Sequence, residues 1–196
     1  MENGCEIPWS EGRWTHEPVR VEQDGDDLLV EAAEGSDAWR TTSYGFVHDT
    51  EHALVRPMPQ DSAVEVGFVA RFEEQFDQAG IFLRAAEDCW VKAGLEFADG
   101  TPQVGAVVTN PASDWSVAPV PQWVDRRVTI RASRSGDAVT VRARVDDEDF
   151  RLVRVLPLPE DAELEAGPMV CAPTRAGLVV RFTSWRSTAA DGSLHP

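Results

Sequence analysis

The sequence predicts an all-β fold, a sandwich or barrel of antiparallel strands, on three observations. Three successive segments, 78-QAGIFLRA-85, 89-CWVKAGLEF-97 and 103-QVGAVVT-109, alternate with a period of two, the signature of strands with one face on a core. Short strand-like runs continue along the chain, and no convincing amphipathic helix interrupts them. Turn signals separate the runs at regular intervals, as in sandwiches and barrels.

Taken in order, the further strands are 27-DLLVEAA-33, 52-HALVR-56, 63-AVEVGFVARF-72, 126-RRVTIRAS-133, 138-AVTVRARV-145, 149-DFRLVRVL-156 and 177-GLVVRFTSW-185. The breaks between them fall at Asp24-Gly25, Pro57 to Pro59, Ser135-Gly136-Asp137, Asp146 to Glu148 and Pro157 to Pro159. Arg142 and Arg144 alternate with Val141, Ala143 and Val145, a pattern with one wet face that suits antiparallel pairing.

The three-strand stretch also specifies a register, because a one-residue slip would turn every side chain to the other face. With Ala86-Glu87-Asp88 as the first loop, Ala85 faces Cys89, Arg84 faces Trp90, Phe82 faces Lys92, Gly80 faces Gly94 and Gln78 faces Glu96. With Asp99-Gly100 as the second turn, Glu96 faces Gln103, Gly94 faces Gly105 and Lys92 faces Val107. Gly80, Gly94 and Gly105 then form a row across three strands. Interior glycine marks a bulge or the close approach of a ligand or another backbone. The row predicts a side-chain-free trough, walled by Phe82, Lys92 and Val107 on one side and Gln78, Glu96 and Gln103 on the other. Either a ligand or a packed loop or sheet fills it.

At 196 residues with 42% hydrophobic content and seven tryptophans, the chain fits one folded domain. The expected organisation is an N-terminal extension over 1–13, a single domain over 14–186 and a C-terminal tail over 187–196. No apolar run reaches the roughly 20 residues of a membrane span. The first residues, MENGCEIPWSEGRW, lack the basic start and apolar stretch of a signal peptide. Cys5, Cys89 and Cys171 show no paired spacing and fit a reducing compartment, so a cytoplasmic location is expected. A net charge of −16 disfavours nucleic acid and anionic lipid as partners. Among 18 basic residues Lys92 is the one lysine, and its place on the open face of the trough makes it a candidate for an anion or a sugar hydroxyl.

Several blocks resemble a known family: 37-DAWRTTSYGF-46, 77-DQAGIFLRA-85, 90-WVKAGLEFADG-100, 107-VVTNPASDWS-116 and 177-GLVVRFTSW-185. From about Trp14 to Trp185 the chain is similar to the family of unknown function that includes the regulation-of-enolase proteins. The resemblance implies a jelly-roll sandwich of the concanavalin-A-like lectin and glucanase type. It implies no activity, and sugar binding drawn from that architecture is analogy.

Candidate ligand-binding residues are Gln78, Phe82, Arg84, Trp90, Lys92, Glu96, Gln103, Asp114, Trp115, Trp39 and Arg40, above the glycine floor. Trp39 or Trp115 would stack on a sugar face, or fill a core. Asp77 and Asp114 would touch ligand, or cap turns. Two-carboxylate hydrolysis needs carboxyls about 5–5.5 or 6.5–9.5 Å apart. Glu96 is the one carboxylate predicted on the trough floor, with Asp114 or Asp77 as possible partners. The glutamate pattern that the glucanase resemblance implies is incomplete here, since 90-WVKAGLEF-97 supplies one glutamate.

His48 and His52 lack zinc-protease order, and Asp146 to Asp149 reads as a solvated turn more readily than a calcium loop. No metal or cofactor is expected. The leading expectation is a module binding a saccharide or small polar metabolite. The alternatives are a glycoside-acting enzyme and a regulatory protein-interaction module, the last suggested by the family resemblance.

Overall fold

The period-two segments pair into two antiparallel sheets, described by a computed structural model over residues 4–69 and 71–195. In chain order the strands of the first half are β1 (Cys5–Glu6), β2 (Arg13–Trp14), β3 (Arg20–Asp24), β4 (Asp27–Glu31), β5 (Ala38–Arg40), β6 (Val47–Asp49), β7 (His52–Pro57), β8 (Ser62–Val69) and β9 (Gln78–Ala86). Then follow β10 (Cys89–Ala98), β11 (Thr101–Thr109), β12 (Ser113–Pro119), β13 (Val128–Ser135), β14 (Ala138–Val145), β15 (Arg151–Pro157), β16 (Glu165–Cys171) and β17 (Val179–Ala189).

The back sheet runs β15-β14-β13-β8-β17-β4-β3, with β1 also on β17. The front sheet runs β12-β11-β10-β9-β16-β7-β2, and β5 and β6 form a separate hairpin. This is the two-sheet jelly-roll sandwich of the concanavalin-A-like type. Val66, Phe68, Ile130, Val141 and Phe182 of the back sheet share one core with Ile81, Leu83, Ala93 and Leu95 of the front sheet. Each of these side chains larger than Ala93 contributes roughly 1.5–3 kcal/mol when fully buried. Among the described residues no helix is long and apolar enough to cross a membrane.

The register of β9, β10 and β11 matches the sequence expectation from Trp90 onward. Gly94 pairs with both Gly80 and Gly105, and Glu96 with both Gln78 and Gln103. Asp99 and Gly100 make the second turn with φ of 54° and 79°, the left-handed pair that a two-residue hairpin requires. The first loop is shorter than expected. Cys89 pairs with Ala86 instead of Ala85, and a bulge between Cys89 and Trp90 restores the phase.

Strands β3, β12 and β16 escape the period-two reading for different reasons. The edge strand β3 is exposed along its whole length, so nothing selects an apolar face. Asp114, read from sequence as a turn or ligand residue beyond Thr109, lies in the edge strand β12, which is exposed over most of its length. The interior strand β16 contains Gly167 and Pro168. Proline cannot donate to a ladder, and the pairing with β7 lapses between Ala166 and Met169.

Segments near both ends of the described chain are tied into the back sheet. Cys5 and Glu6 pair with Ser187 and Arg186, so the segments expected as an extension and a tail both contribute to it. Arg131, buried in β13, bonds to Glu65 (2.7 Å), Thr188 (2.6 Å), Ala189 O (2.9 Å) and Asp191 (2.8 Å).

Candidate functional site

Alternation along the front sheet sends Gln78, Gly80 and Phe82 of β9, Lys92, Gly94 and Glu96 of β10, and Gln103, Gly105 and Val107 of β11 to the side away from the main core. The glycine row exists, but it is not an empty trough. Met169 of β16 and Val117 of β12 continue the row at its two ends. The hollow left against Gly94 and Gly105 holds only about 20 Å3, about the room of one water. The glycines answer to the sheet itself. A Cβ on Gly80 would overlap the Ala93 carbonyl oxygen, one on Gly94 the Ala79 oxygen, and one on Gly105 the Ser116 oxygen. This is the close backbone approach that interior glycine permits.

Space for a ligand lies beside the row, under the β5–β6 hairpin. There a cleft of about 300 Å3 is walled by Trp39, Tyr44 and Phe46 of the hairpin segment, Trp115 of β12 and Phe76. Trp39 meets Trp115 edge to face, with centroids 6.5 Å apart and planes at 86°. Tyr44 stands 5.6 Å from Trp39 and stacks on Phe46 at 5.3 Å. His48 packs against the Phe46 ring at 4.7 Å. The floor is polar: Asp37, Gln78, Lys92 and Glu96.

The hairpin is held over the sheet from its base. The Asp37 N–H donates to Thr50 Oγ1 (3.1 Å), and the Thr50 N–H donates back to the Asp37 carbonyl (2.8 Å). The Arg40 N–H donates to Ser113 Oγ (2.9 Å). These bonds aim the Asp37 carboxylate downward. Its Oδ1 accepts from Lys92 Nζ (2.7 Å), the Ala38 N–H (2.8 Å) and Gln78 Nε2 (3.3 Å).

Lys92, expected on an open face, is 4% exposed. Burial pulls its ammonium down, and Asp37, Cys171 and Glu96 together more than offset this, leaving it above its ordinary value. Lys92 and Asp37 thus neutralise each other. Glu96 has no hydrogen-bond partner among the described residues. Desolvation pushes its carboxyl up to about 7; Lys92 opposes the rise and Asp37 adds to it. A half-buried carboxyl that titrates near neutrality inside a cleft marks a functional candidate.

Of the residues expected from sequence, Gln78, Lys92, Glu96, Trp39 and Trp115 line this cleft. The others do not. Phe82 (1% exposed) and Trp90 (4%) lie in a small apolar cluster with Val55, Val107 and Met169, beneath the base of the hairpin, and Trp39, itself buried, packs into the same cluster from above. Gln103 is buried and donates to the Ala98 carbonyl. Arg84 lies at the opposite end of β9, and Arg40 bonds to Asp49 (2.8 Å).

Neither expected carboxylate partner of Glu96 lines the cleft. Asp77 is fully buried, takes both nitrogens of a bidentate Arg175 pair and accepts from the Glu73 and Glu74 N–H groups. Asp114 pairs with Arg154 at 2.8 Å. Outside the cleft, His52 has both ring nitrogens engaged by the Ala33 N–H and the His16 carbonyl.

Sequence reasoning missed Asp37, Tyr44, Phe46 and His48 as site residues. They belong to the block 37-DAWRTTSYGF-46 and the strand after it, whose cluster of aromatics beside an aspartate was the available signal.

The fold places the protein among two-sheet sandwiches found as parts of larger enzymes and as separate modules. It is similar to xylan beta-1,4-xylosidase from Bacillus halodurans C-125 (TM-score 0.71, 11% identity), covering 93% of this chain and 38% of that one. It is also similar to the CBM2 module of an evolved Dit of Lactobacillus casei BL23 phage J-1 (TM-score 0.61, 10% identity), covering 98% of this chain and 90% of that one. At such identities the likeness is one of fold. Within that class the chain belongs to the family described as protein of unknown function (DUF1349), which matches residues 14–190. Regulation of enolase protein 1 of Saccharomyces cerevisiae is 35% identical over 187 residues, 95% of this chain and 94% of that one. A functionally unknown protein from the same yeast has a crystal structure with TM-score 0.88 and 34% identity, covering 95% of this chain and all of that one.

Proposed function

We propose that this protein binds a saccharide or related polar metabolite in the cleft between the β5–β6 hairpin and the front sheet. The observation that carries the reading is the combination of aromatic walls with a polar floor in one cleft of about 300 Å3. Ligand pockets of roughly 300–1,000 Å3 lined by rings and a few convergent polar groups are the usual form of small-molecule sites. Rings offer the flat apolar contact that a sugar face needs, while Asp37, Gln78 and Glu96 supply hydroxyl partners. The similar sandwich within a xylan beta-1,4-xylosidase adds support by analogy alone.

Titration calorimetry with xylose, glucose, xylobiose and cellobiose tests the reading. Saturable binding by at least one of them is expected, weakened tenfold or more in Trp115→Ala. Trp115 is 38% exposed, so its truncation is expected to shift the melting temperature by no more than about 2 °C. No saturation by any of the four, or unchanged affinity in the variant, overturns it.

One observation favours a second reading, catalysis on a glycoside. A carboxyl near 7 suits general acid–base work at neutral pH, and Asp37 is a second carboxylate lining the same cleft. Release of nitrophenol from aryl glycosides by the wild type and not by Glu96→Gln would support it. Equal background release by both would remove it.

A further inference from the structure

The charges around the cleft all have one sign of consequence. Of the 18 basic residues in the chain, Lys92 is the one among the described residues that lines the cleft, and Asp37 already neutralises it at 2.7 Å. Among the described residues no arginine lines it. Glu96 remains as a carboxyl with no hydrogen-bond partner among the described residues. The groups facing it are Lys92 on its own strand, the neutral amides of Gln78 and Gln103 across the two ladders, Asp37 below the hairpin and His48 on β6. Cys171 faces the same region from β16 as a neutral thiol, pushed well up by burial. The internal groups therefore leave Glu96 short of a counter-charge when it ionises.

The walls favour the same ligand. Trp39 and Trp115 form a right-angled corner, and Tyr44 (57% exposed) and Phe46 (42%) extend it toward solvent. Aromatic rings attract cations through their negative faces, and tryptophan does so best. A net charge of −16 raises the local concentration of cations around the molecule.

We infer that the ligand of this cleft carries a basic nitrogen: an ammonium-bearing sugar or polyol, with its nitrogen beside Glu96 and its carbon skeleton against Trp39 and Trp115. The inference rests on the proposed binding function and narrows it to a ligand class. Glu96 is the specificity-determining residue, and anionic sugars such as phosphates and sugar acids are excluded.

Three probes of matched shape test this: N-methylglucamine (cationic), sorbitol (neutral) and gluconate (anionic), titrated calorimetrically at pH 8 and pH 5.5, with glucose and xylobiose as further neutral probes. At pH 8 the amine is expected to bind at least tenfold tighter than sorbitol, and gluconate more weakly than sorbitol. The preference for the amine should fall below threefold at pH 5.5, where Glu96 is protonated, and in Glu96→Gln at pH 8. Equal affinity for the amine and sorbitol, tightest binding by gluconate, or an undiminished preference in Glu96→Gln overturns the inference. If a neutral sugar binds without any preference for the amine, only the ligand class falls. If no probe binds, the binding function falls with it.

Discussion

Replacing Glu96 by glutamine is expected to stabilise the protein at alkaline pH and to change it little at acidic pH. In the folded chain the Glu96 carboxyl is pushed from an ordinary 4.5 to about 7, chiefly by desolvation. Between those values the folded state binds more protons than the unfolded state, so stability falls as pH rises. The full cost, present above pH 7, is about 3 kcal/mol at roughly 1.4 kcal/mol per tenfold. Allowing for the part of the carboxyl that water reaches, roughly 2 kcal/mol of it develops between pH 5 and pH 8. Glutamine does not titrate and carries none of this loss. Urea unfolding of both proteins at the two pH values should show the variant gaining roughly 2 kcal/mol on the wild type from pH 5 to pH 8. That corresponds to about 4–8 °C in melting temperature for a chain of this size. A difference between the two proteins that stays constant within about 0.5 kcal/mol across the range would refute the placement of Glu96 as a desolvated, unpartnered carboxyl.

Three further outcomes follow from the geometry. Gly94→Ala forces a Cβ against the Ala79 carbonyl oxygen and should cost roughly 2–3 kcal/mol in chemical denaturation, as overpacking does. Asp37→Asn leaves the buried Lys92 ammonium without its counter-ion and should cost roughly 3–5 kcal/mol. Asp37→Asn,Lys92→Met should recover most of that loss, and calorimetric unfolding of the two variants checks the coupling. Arg175→Ala strips the bidentate partner from the fully buried Asp77 and should lower the melting temperature by several degrees. It should leave saccharide affinity unchanged in the same titrations, because Asp77 lies outside the cleft.

Most of the sandwich was legible because a sheet face buried against another sheet imposes alternation on the chain. The register of Gly80, Gly94 and Gly105 followed from that alternation together with the Asp99-Gly100 turn. What the glycines accommodate was not legible, since a ligand and a neighbouring carbonyl oxygen both require a missing Cβ. The location of the site shifted for a related reason. Lys92 and Glu96 share a face by strand periodicity, but the residues above them come from β5 and β6, far off in sequence and too short to display a period. Asp37 therefore carried no local signal of its contact with Lys92, 55 positions away. Phe82 and Trp90 were misplaced by the same blind spot. A face without main-core residues reads as open until something is known to cover it.

The hairpin formed by β5 and β6 belongs to neither large sheet, yet its segment contributes Asp37, Trp39, Tyr44, Phe46 and His48 to the lining of the cleft. The walls of the cleft are consequently supplied in part by a stretch of the polypeptide separate from the strands that carry its floor residues Gln78, Lys92 and Glu96. Varying the exposed positions of this flap, Tyr44 and Phe46 among them, would reshape the cleft walls while the Asp37–Lys92 pair and the cross-sheet packing stayed in place.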